Sequence, residues 1–444
     1  MTEKSSSGYR GEALEAVNKV GAEVGDTLRV IKNGEVYEGI LIPRSEYGDE
    51  KHLVIKLKNG YNIGIRIESN TKVEKIGKGT KPSFVSPSLP QQNERLPKVT
   101  ILSTGGTIAS RVDYRTGAVR PALTASDLYS VVPELANIAR IDAHILFSLF
   151  SENIAPEDWT KMAKATALKI DEGADGVVIA HGTDTMGYTA AALSFALQNL
   201  PVPIILVGSQ RSADRPSSDA ATNLVGAVTA AAKAPFAQVV VAMHETISDT
   251  SIALHSATKV RKCHTSRRDT FRSINAPPIA RMQGQSVIML ANDYIKRDSS
   301  RKPTLKPKFC DKVALVKFHP GIDSAMIDWH TNKGYKGLIL EGTGLGHVGN
   351  KCFHAIGNAV NNGVVVGMTS QCIWGRVDMN VYDTGRDLQA LGIVPLEDML
   401  SETALVKLMW ILGQTENVQE AQRLMMTNIA GELSPRTLPE KSEQ

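Results

Sequence analysis

Apolar positions change their spacing twice along this chain. Over 27–31, 36–41, 53–57 and 61–67 they recur in short, mostly alternating stretches, the period-two signature of strands with one wet face. Asn33-Gly34 and Asn59-Gly60 lie between these stretches; that dipeptide suits two-residue hairpin turns, whose central residues both need positive φ. A small all-β, barrel-like domain is therefore expected over 1–77. Residues 78–97, KGTKPSFVSPSLPQQNERLP, offer four prolines and little to bury, so they read as a linker.

Beyond the linker the apolar runs become continuous, at 99–102, 177–180, 204–207, 239–242, 313–318, 338–340 and 364–366. Such runs mark strands covered on both faces. Helix-like segments, including 189–198 and 219–232, separate them, and this alternation predicts an α/β body built on parallel sheets. The basic, proline-containing run 296–308, KRDSSRKPTLKPK, divides it. The expected layout is a first α/β domain over 98–295, a connector over 296–312, a second α/β domain over 313–430 and a polar, frayed tail over 431–444. The connector reads as a solvated segment, with contact to RNA phosphates as the alternative.

The loops after the strands carry the chemistry. The runs lead into STGGT, HGTDT, GSQRSADRPSSD, MHET and EGTG, and in open α/β sheets ligands bind beyond the carboxyl ends of strands. STGGT belongs to no complete nucleotide-binding fingerprint. It is either a tight turn or the seat of a nucleophilic hydroxyl, Thr107 or Thr104, which needs a base or a positive neighbour to react. Thr183 and Asp184 in HGTDTM read as a helix cap or as a second part of the same site. The stretch ATKVRKCHTSRRDTFRS, 257–273, reads as a solvated basic face or as the source of a lysine set beside a hydroxyl and a carboxylate.

Composition narrows the classes. With 50 basic and 46 acidic residues the formal charge is +4, which does not announce a nucleic-acid binder. Cys263, Cys310, Cys352 and Cys372 are scattered without a CxxC pair, so free thiols and no metal site are expected. The opening MTEKSSSGYRGEALEAV lacks an apolar signal core, and no apolar run reaches the roughly 20 residues that span a bilayer. A cytoplasmic protein with no membrane contact is expected.

STGGTIAS, IAHGTDTM and GSQRSADRPSSDAATNL, in this order, resemble the signatures of the L-asparaginase/glutaminase family, and the likeness extends over about 97–430. The resemblance implies a two-domain asparaginase-like body and amide hydrolysis through a threonine acyl-enzyme. It implies Thr107 as nucleophile, assisted by Tyr114, with Thr183, Asp184 and Lys262 as the companion catalytic set; Lys259 is the alternative lysine. It places Ser151, Glu152, Gly106 and Gly182 at the substrate, with glycine permitting the close backbone approach that oxyanion stabilisation needs. Glu152 and His347 stand where many bacterial asparaginases carry Gln and Asn, which leaves the preference between asparagine and glutamine open.

The residues ahead of the body, GDTLRVIKNGEVYEGILIPRSE and onward, resemble the N-terminal domain of the GatD family of archaeal glutamyl-tRNA(Gln) amidotransferases, as do KVRKCHTSRRDTFRS and EGTGLGHV in the body. This likeness implies an ammonia-releasing subunit acting on glutamine or asparagine. Its partner, GatE, would use ATP and Mg to amidate Glu-tRNA(Gln); this chain would bind no cofactor. It implies a homodimer within a heterotetramer. The rival readings are a stand-alone L-asparaginase and a non-catalytic scaffold. The scaffold is disfavoured because each position carried over holds a competent side chain.

Overall fold

The computed structural model describes residues 8–44, 49–57, 62–78, 93–106, 108, 110–112, 119–121, 132–211 and 218–437. The N-terminal domain is a five-stranded antiparallel sheet in the order Asn62–Arg66, His52–Leu57, Glu35–Leu41, Thr27–Lys32, Lys72–Gly77. Asn33 and Gly34 have φ of 52° and 83°, so the first hairpin turns as its Asn-Gly pair requires. Asn59-Gly60 falls outside the described residues. Two elements here escape the period-two pattern. In KVEKIG the apolar residues Val73 and Ile76 lie three apart, and helix Gly11–Lys19 buries only Ala13 and Val17, four apart, against a core of Leu28, Val30, Leu41, Leu53 and Ile55.

In the first α/β domain five strands run parallel in the order Arg140–Ile145, Lys98–Ser103, Gly176–Ala180, Ile204–Val207, Val239–His244. Three more, Ile252–Ser256, Ala280–Gln283 and Ser286–Met289, continue the sheet antiparallel. This eight-stranded sheet is thus mixed rather than wholly parallel as expected. Residues 245–251 and 284–285 are too short for the crossover of a dozen or more residues that a parallel step demands. The second domain holds a parallel four-stranded sheet, Val313–Lys317, Gly337–Gly342, Val365–Ser370 and Val394–Pro395.

The two α/β domains share a core. Helix Met186–Ala196 has an apolar surface nearly all round, which fits a helix covered on every side. One side meets the first sheet, and another packs on helix Ser401–Gln414 of the second domain, where Phe195 stacks on Trp410 at 5.8 Å. Helix Pro156–Asp171 joins the same cluster through Trp159, Met162, Ala163 and Ile170. Its entry is fixed by Pro156 and by the Asp158 carboxylate, which accepts the Ala155 N–H at 3.1 Å.

Two segments read as solvated or frayed are tied down at several points, although residues 296–308 remain largely exposed. In the connector, the Arg297 guanidinium donates to the carbonyls of Ala231 and Ala232, both at 2.9 Å. It thereby satisfies the last turn of helix Ala220–Lys233, where a cation suits the dipole. Arg301 donates to the Leu200 and Lys296 carbonyls, and the Lys306 carbonyl accepts from Trp410 at 3.0 Å. At the chain's end, Glu432 is fully buried against Lys407 at 2.6 Å, and Arg376 reaches the Ser434 carbonyl and the Thr437 hydroxyl. The segment 431–437 is therefore anchored. No helix among the described residues is long and apolar enough to cross a membrane.

Candidate active site

Strand Lys98–Ser103 passes between Arg140–Ile145 and Gly176–Ala180, so the loops after the first and second signatures emerge side by side. Thr104 is buried, and both its N–H and its hydroxyl donate to the Ala180 carbonyl at 3.0 Å. That makes Thr104 a strut between strands. The glycine pair comes next. Gly105 and Gly106 have φ of 112° and 81°, a region L side chains rarely adopt. A Cβ on Gly105 would sit 2.3 Å from the Leu149 carbonyl oxygen, and one on Gly106 2.7 Å from the Gly182 nitrogen. Two glycines thus stand after a buried strand because three loops converge there without room for a methyl group. Gly106→Ala is expected to cost about 1–3 kcal/mol of stability through its backbone conformation. It should also lower turnover at least tenfold by pushing the first loop off the second; a melting curve and steady-state kinetics check both.

On the second loop Thr183 and Asp184 meet a lysine from a distant hairpin. Strands Val260–Lys262 and Phe271–Ser273 pair antiparallel, and Val260 and Phe271 are buried in the shared core. Lys262 lies two residues from Val260, so it leaves the hairpin on the anchored side. Its Nζ donates to Thr183 Oγ1 at 2.9 Å and to Asp184 Oδ1 at 2.8 Å. Amine and hydroxyl can exchange a proton at this distance. The Lys262 side chain is 16% exposed and that of Asp184 67%, so this trio opens to solvent.

Ser151 completes this wall. It is buried at the start of the turn Ser151–Asn153, its carbonyl accepts from the Thr185 hydroxyl at 2.7 Å, and a Cβ on Gly182 would meet its side chain at 2.8 Å. The neighbouring Glu152 is exposed. Thr107 and Tyr114 lie outside the described residues. His347 contacts Thr384 and the Tyr382 ring within the second domain.

Lys259, the alternative lysine, is held elsewhere. Its Nζ pairs with Asp398 Oδ2 at 2.7 Å, both side chains 2% exposed, and burial pushes the ammonium below its ordinary value. The alternation of the hairpin separates Lys259 from Lys262, a distinction that the sequence left unresolved.

Two supporting groups carried no individual signal in the sequence. His181 is fully buried, and burial lowers its pKa to about 4. Its ring bonds Gly182 O at 2.6 Å and the Thr189 hydroxyl at 2.9 Å, and Thr189 accepts from Trp159 Nε1 at 3.1 Å. Under the third strand end, buried Asp219 accepts the N–H groups of Gln210 and Arg211 and the Asn223 amide. Asn223 reaches buried His244, and His244 reaches Asp249, which also pairs with Arg268 of the lysine hairpin. The loop and the hairpin are thereby linked through side chains.

Comparison with known proteins gives the family of the chain. Residues 98–294 match the family model described as Asparaginase, N-terminal, and residues 312–425 the Glutaminase/Asparaginase C-terminal domain. Residues 22–76 match the GatD N-terminal domain. The GatD subunit of the Metallosphaera sedula glutamyl-tRNA(Gln) amidotransferase is 52% identical over 97% of this chain and 97% of its own length. Its counterpart from Pyrococcus furiosus is 51% identical over 96% and 98%. Among solved structures, the thermostable L-asparaginase from Thermococcus kodakarensis superposes with a TM-score of 0.68 at 32% identity, covering 76% of this chain and all of that one. L-asparaginase I from Vibrio cholerae gives a TM-score of 0.65 at 27% identity, covering 76% of this chain and 99% of that one. The body is an asparaginase fold extended at its N-terminus by a β domain, and the full-length likeness includes both parts: this chain belongs to the GatD family of glutamyl-tRNA(Gln) amidotransferase subunits.

Proposed function

We propose that this chain releases ammonia from a side-chain amide as the asparaginase-like subunit of a glutamyl-tRNA(Gln) amidotransferase, through a threonine acyl-enzyme. One observation carries the chemistry. Lys262 bridges Thr183 and Asp184 where the second signature loop abuts the glycines of the first. A threonine hydroxyl is a poor nucleophile until a neighbour takes its proton, and this amine lies within reach of one. In the proposed sequence a hydroxyl attacks the amide carbon, with Thr107 assisted by Tyr114 as the family likeness implies. The proton taken from the hydroxyl passes to the leaving nitrogen, ammonia departs, and water then cleaves the ester to release the acid and restore the hydroxyl. Backbone N–H groups beside Gly106 and Gly182 would steady the oxyanion, where one donor is worth about 3 kcal/mol. Ser151, against Gly182, would receive the substrate's α-carboxylate.

The full-length likeness to GatD proteins, β domain included, supports the amidotransferase assignment over a stand-alone asparaginase. A partner protein, GatE in the family, would then supply ATP- and Mg-dependent activation of Glu-tRNA(Gln) and consume the ammonia, with two copies of this chain in the assembly. Purified alone, the chain should hydrolyse glutamine or asparagine slowly and accelerate when the partner and Glu-tRNA(Gln) are added. Full hydrolysis without them, unchanged by their addition, supports the stand-alone asparaginase instead.

A further inference from the structure

The buried chain Trp159–Thr189–His181 lies outside the reacting groups, yet it ends on the loop that presents two of them. Its polarity is set by its ends. The Gly182 carbonyl can only accept, so His181 Nδ1 carries the proton in the 2.6 Å bond. Trp159 Nε1 can only donate, so Thr189 accepts there at 3.1 Å, and its own hydroxyl hydrogen turns to His181 Nε2 at 2.9 Å. Each group has one assignment: Trp159 donates to Thr189, Thr189 to His181, His181 to Gly182. Trp159, Thr189 and His181 are at most 6% exposed, so water does not compete for these positions.

The far end of the chain matters because of where Gly182 sits. A Cβ on Gly106 would approach its nitrogen to 2.7 Å, and a Cβ on Gly182 would approach Ser151 to 2.8 Å. The Gly182 carbonyl and the Thr183 N–H are opposite ends of one planar trans peptide. Holding the carbonyl on His181 therefore aims the Thr183 N–H the other way and fixes the start of the Thr183–Asp184 segment that Lys262 contacts.

We propose that Trp159, Thr189 and His181 form a positioning relay that sets the Gly182–Thr183 peptide, and hence Thr183 and Asp184, for amide cleavage. The relay rests on the reading of Thr183, Asp184 and Lys262 as the reacting site. It acts only through His181 as neutral imidazole, the form that burial, by lowering the pKa to about 4, favours at neutral pH.

The test combines 15N-histidine NMR with kinetics of ammonia release from glutamine, on the full chain alone and with its partner. The wild-type His181 ring should appear as the neutral Nδ1–H tautomer at pH 8 and still at pH 6. Thr189→Val keeps the side-chain shape and removes the hydroxyl. It should leave the Nδ1–H tautomer held by the Gly182 carbonyl, shift the His181 Nε2 resonance as that nitrogen loses its donor, and lower kcat about 10–100-fold, since a small misplacement of reacting groups costs up to about 100-fold, while KM shifts less than threefold. Thr189→Ser, which restores the hydroxyl, should recover kcat and the wild-type Nε2 resonance. A wild-type ring protonated at Nε2 alone overturns the relay, as does Thr189→Ser falling as far as Thr189→Val. Failure of the site reading is distinguishable, because the tautomer and the response of the Nε2 signal to Thr189 do not depend on turnover. If Lys262→Met retains activity, the reading of the site fails whatever His181 shows.

Discussion

Lys262→Met is expected to abolish ammonia release, lowering kcat by about 10²–10⁴-fold, the usual contribution of a positioned acid–base group, without moving the melting temperature. The two halves of this expectation have separate origins. Lys262 Nζ is the described group that touches both Thr183 Oγ1 and Asp184 Oδ1, at 2.9 and 2.8 Å. Methionine keeps the stem and removes the amine, so the proton carrier and its link to the carboxylate disappear together. The ion pair itself contributes little to stability. Asp184 is 67% exposed, and pairs this open to water are worth about 0–1 kcal/mol. Val260 and Phe271, which anchor the hairpin in the core, are untouched. Steady-state ammonia assays and a thermal melt separate the two effects. A variant within tenfold of wild type would remove Lys262 from the chemistry.

The sequence exposed the scaffold of this site better than its supports. Strands buried on both faces announced themselves as continuous apolar runs: 177–180 and 204–207 lie within Gly176–Ala180 and Ile204–Val207. Arg140–Ile145, RIDAHI, did not. It lies at one edge of its sheet, and its Arg140, Asp142 and His144 give it a polar face that resembles a loop. The antiparallel strands Ala280–Gln283 and Ser286–Met289 are four residues each, too short for any period to stand out. Thr183, Asp184 and Lys262 were legible because short motifs carry them, although the lysine was uncertain by three residues. Trp159 and Thr189 were not legible: each looks like an ordinary helix residue, and their link to His181 exists only once two helices and a strand end are packed together. The anchoring of 431–437 was hidden for the same reason, since Glu432 finds Lys407 only through the fold.

Asp398→Asn is expected to destabilise the protein by about 3–5 kcal/mol, the cost of leaving one member of a buried ion pair uncompensated. Asp398 Oδ2 lies 2.7 Å from Lys259 Nζ with both side chains 2% exposed, while its Oδ1 accepts the Ser434 N–H at 2.9 Å. Burial alone would raise the Asp398 carboxyl; the adjacent ammonium and the Ser434 bonds outweigh it and hold the pKa below its ordinary value. That direction fixes the sign. A carboxyl depressed in the fold stabilises above its unfolded pKa, and that stability is lost as pH falls through the folded value. Wild type should therefore weaken in acid through this group and Asp398→Asn should not, a difference that chemical denaturation at stepped pH would reveal. The double variant Lys259→Met with Asp398→Leu should recover much of the loss, because replacing a whole buried pair with apolar groups is often neutral. In each variant, molecules that remain folded should keep turnover within several-fold of wild type. Thr403 still donates to the Thr258 carbonyl at 3.0 Å, and Arg261 still meets Glu402 at 3.1 Å, so the base of the hairpin stays on the second domain. Two lysines three residues apart then part cleanly, with Lys262 setting the rate and Lys259 the stability. If Lys259→Met instead silenced ammonia release in fully folded protein, the base of the hairpin would itself belong to the site.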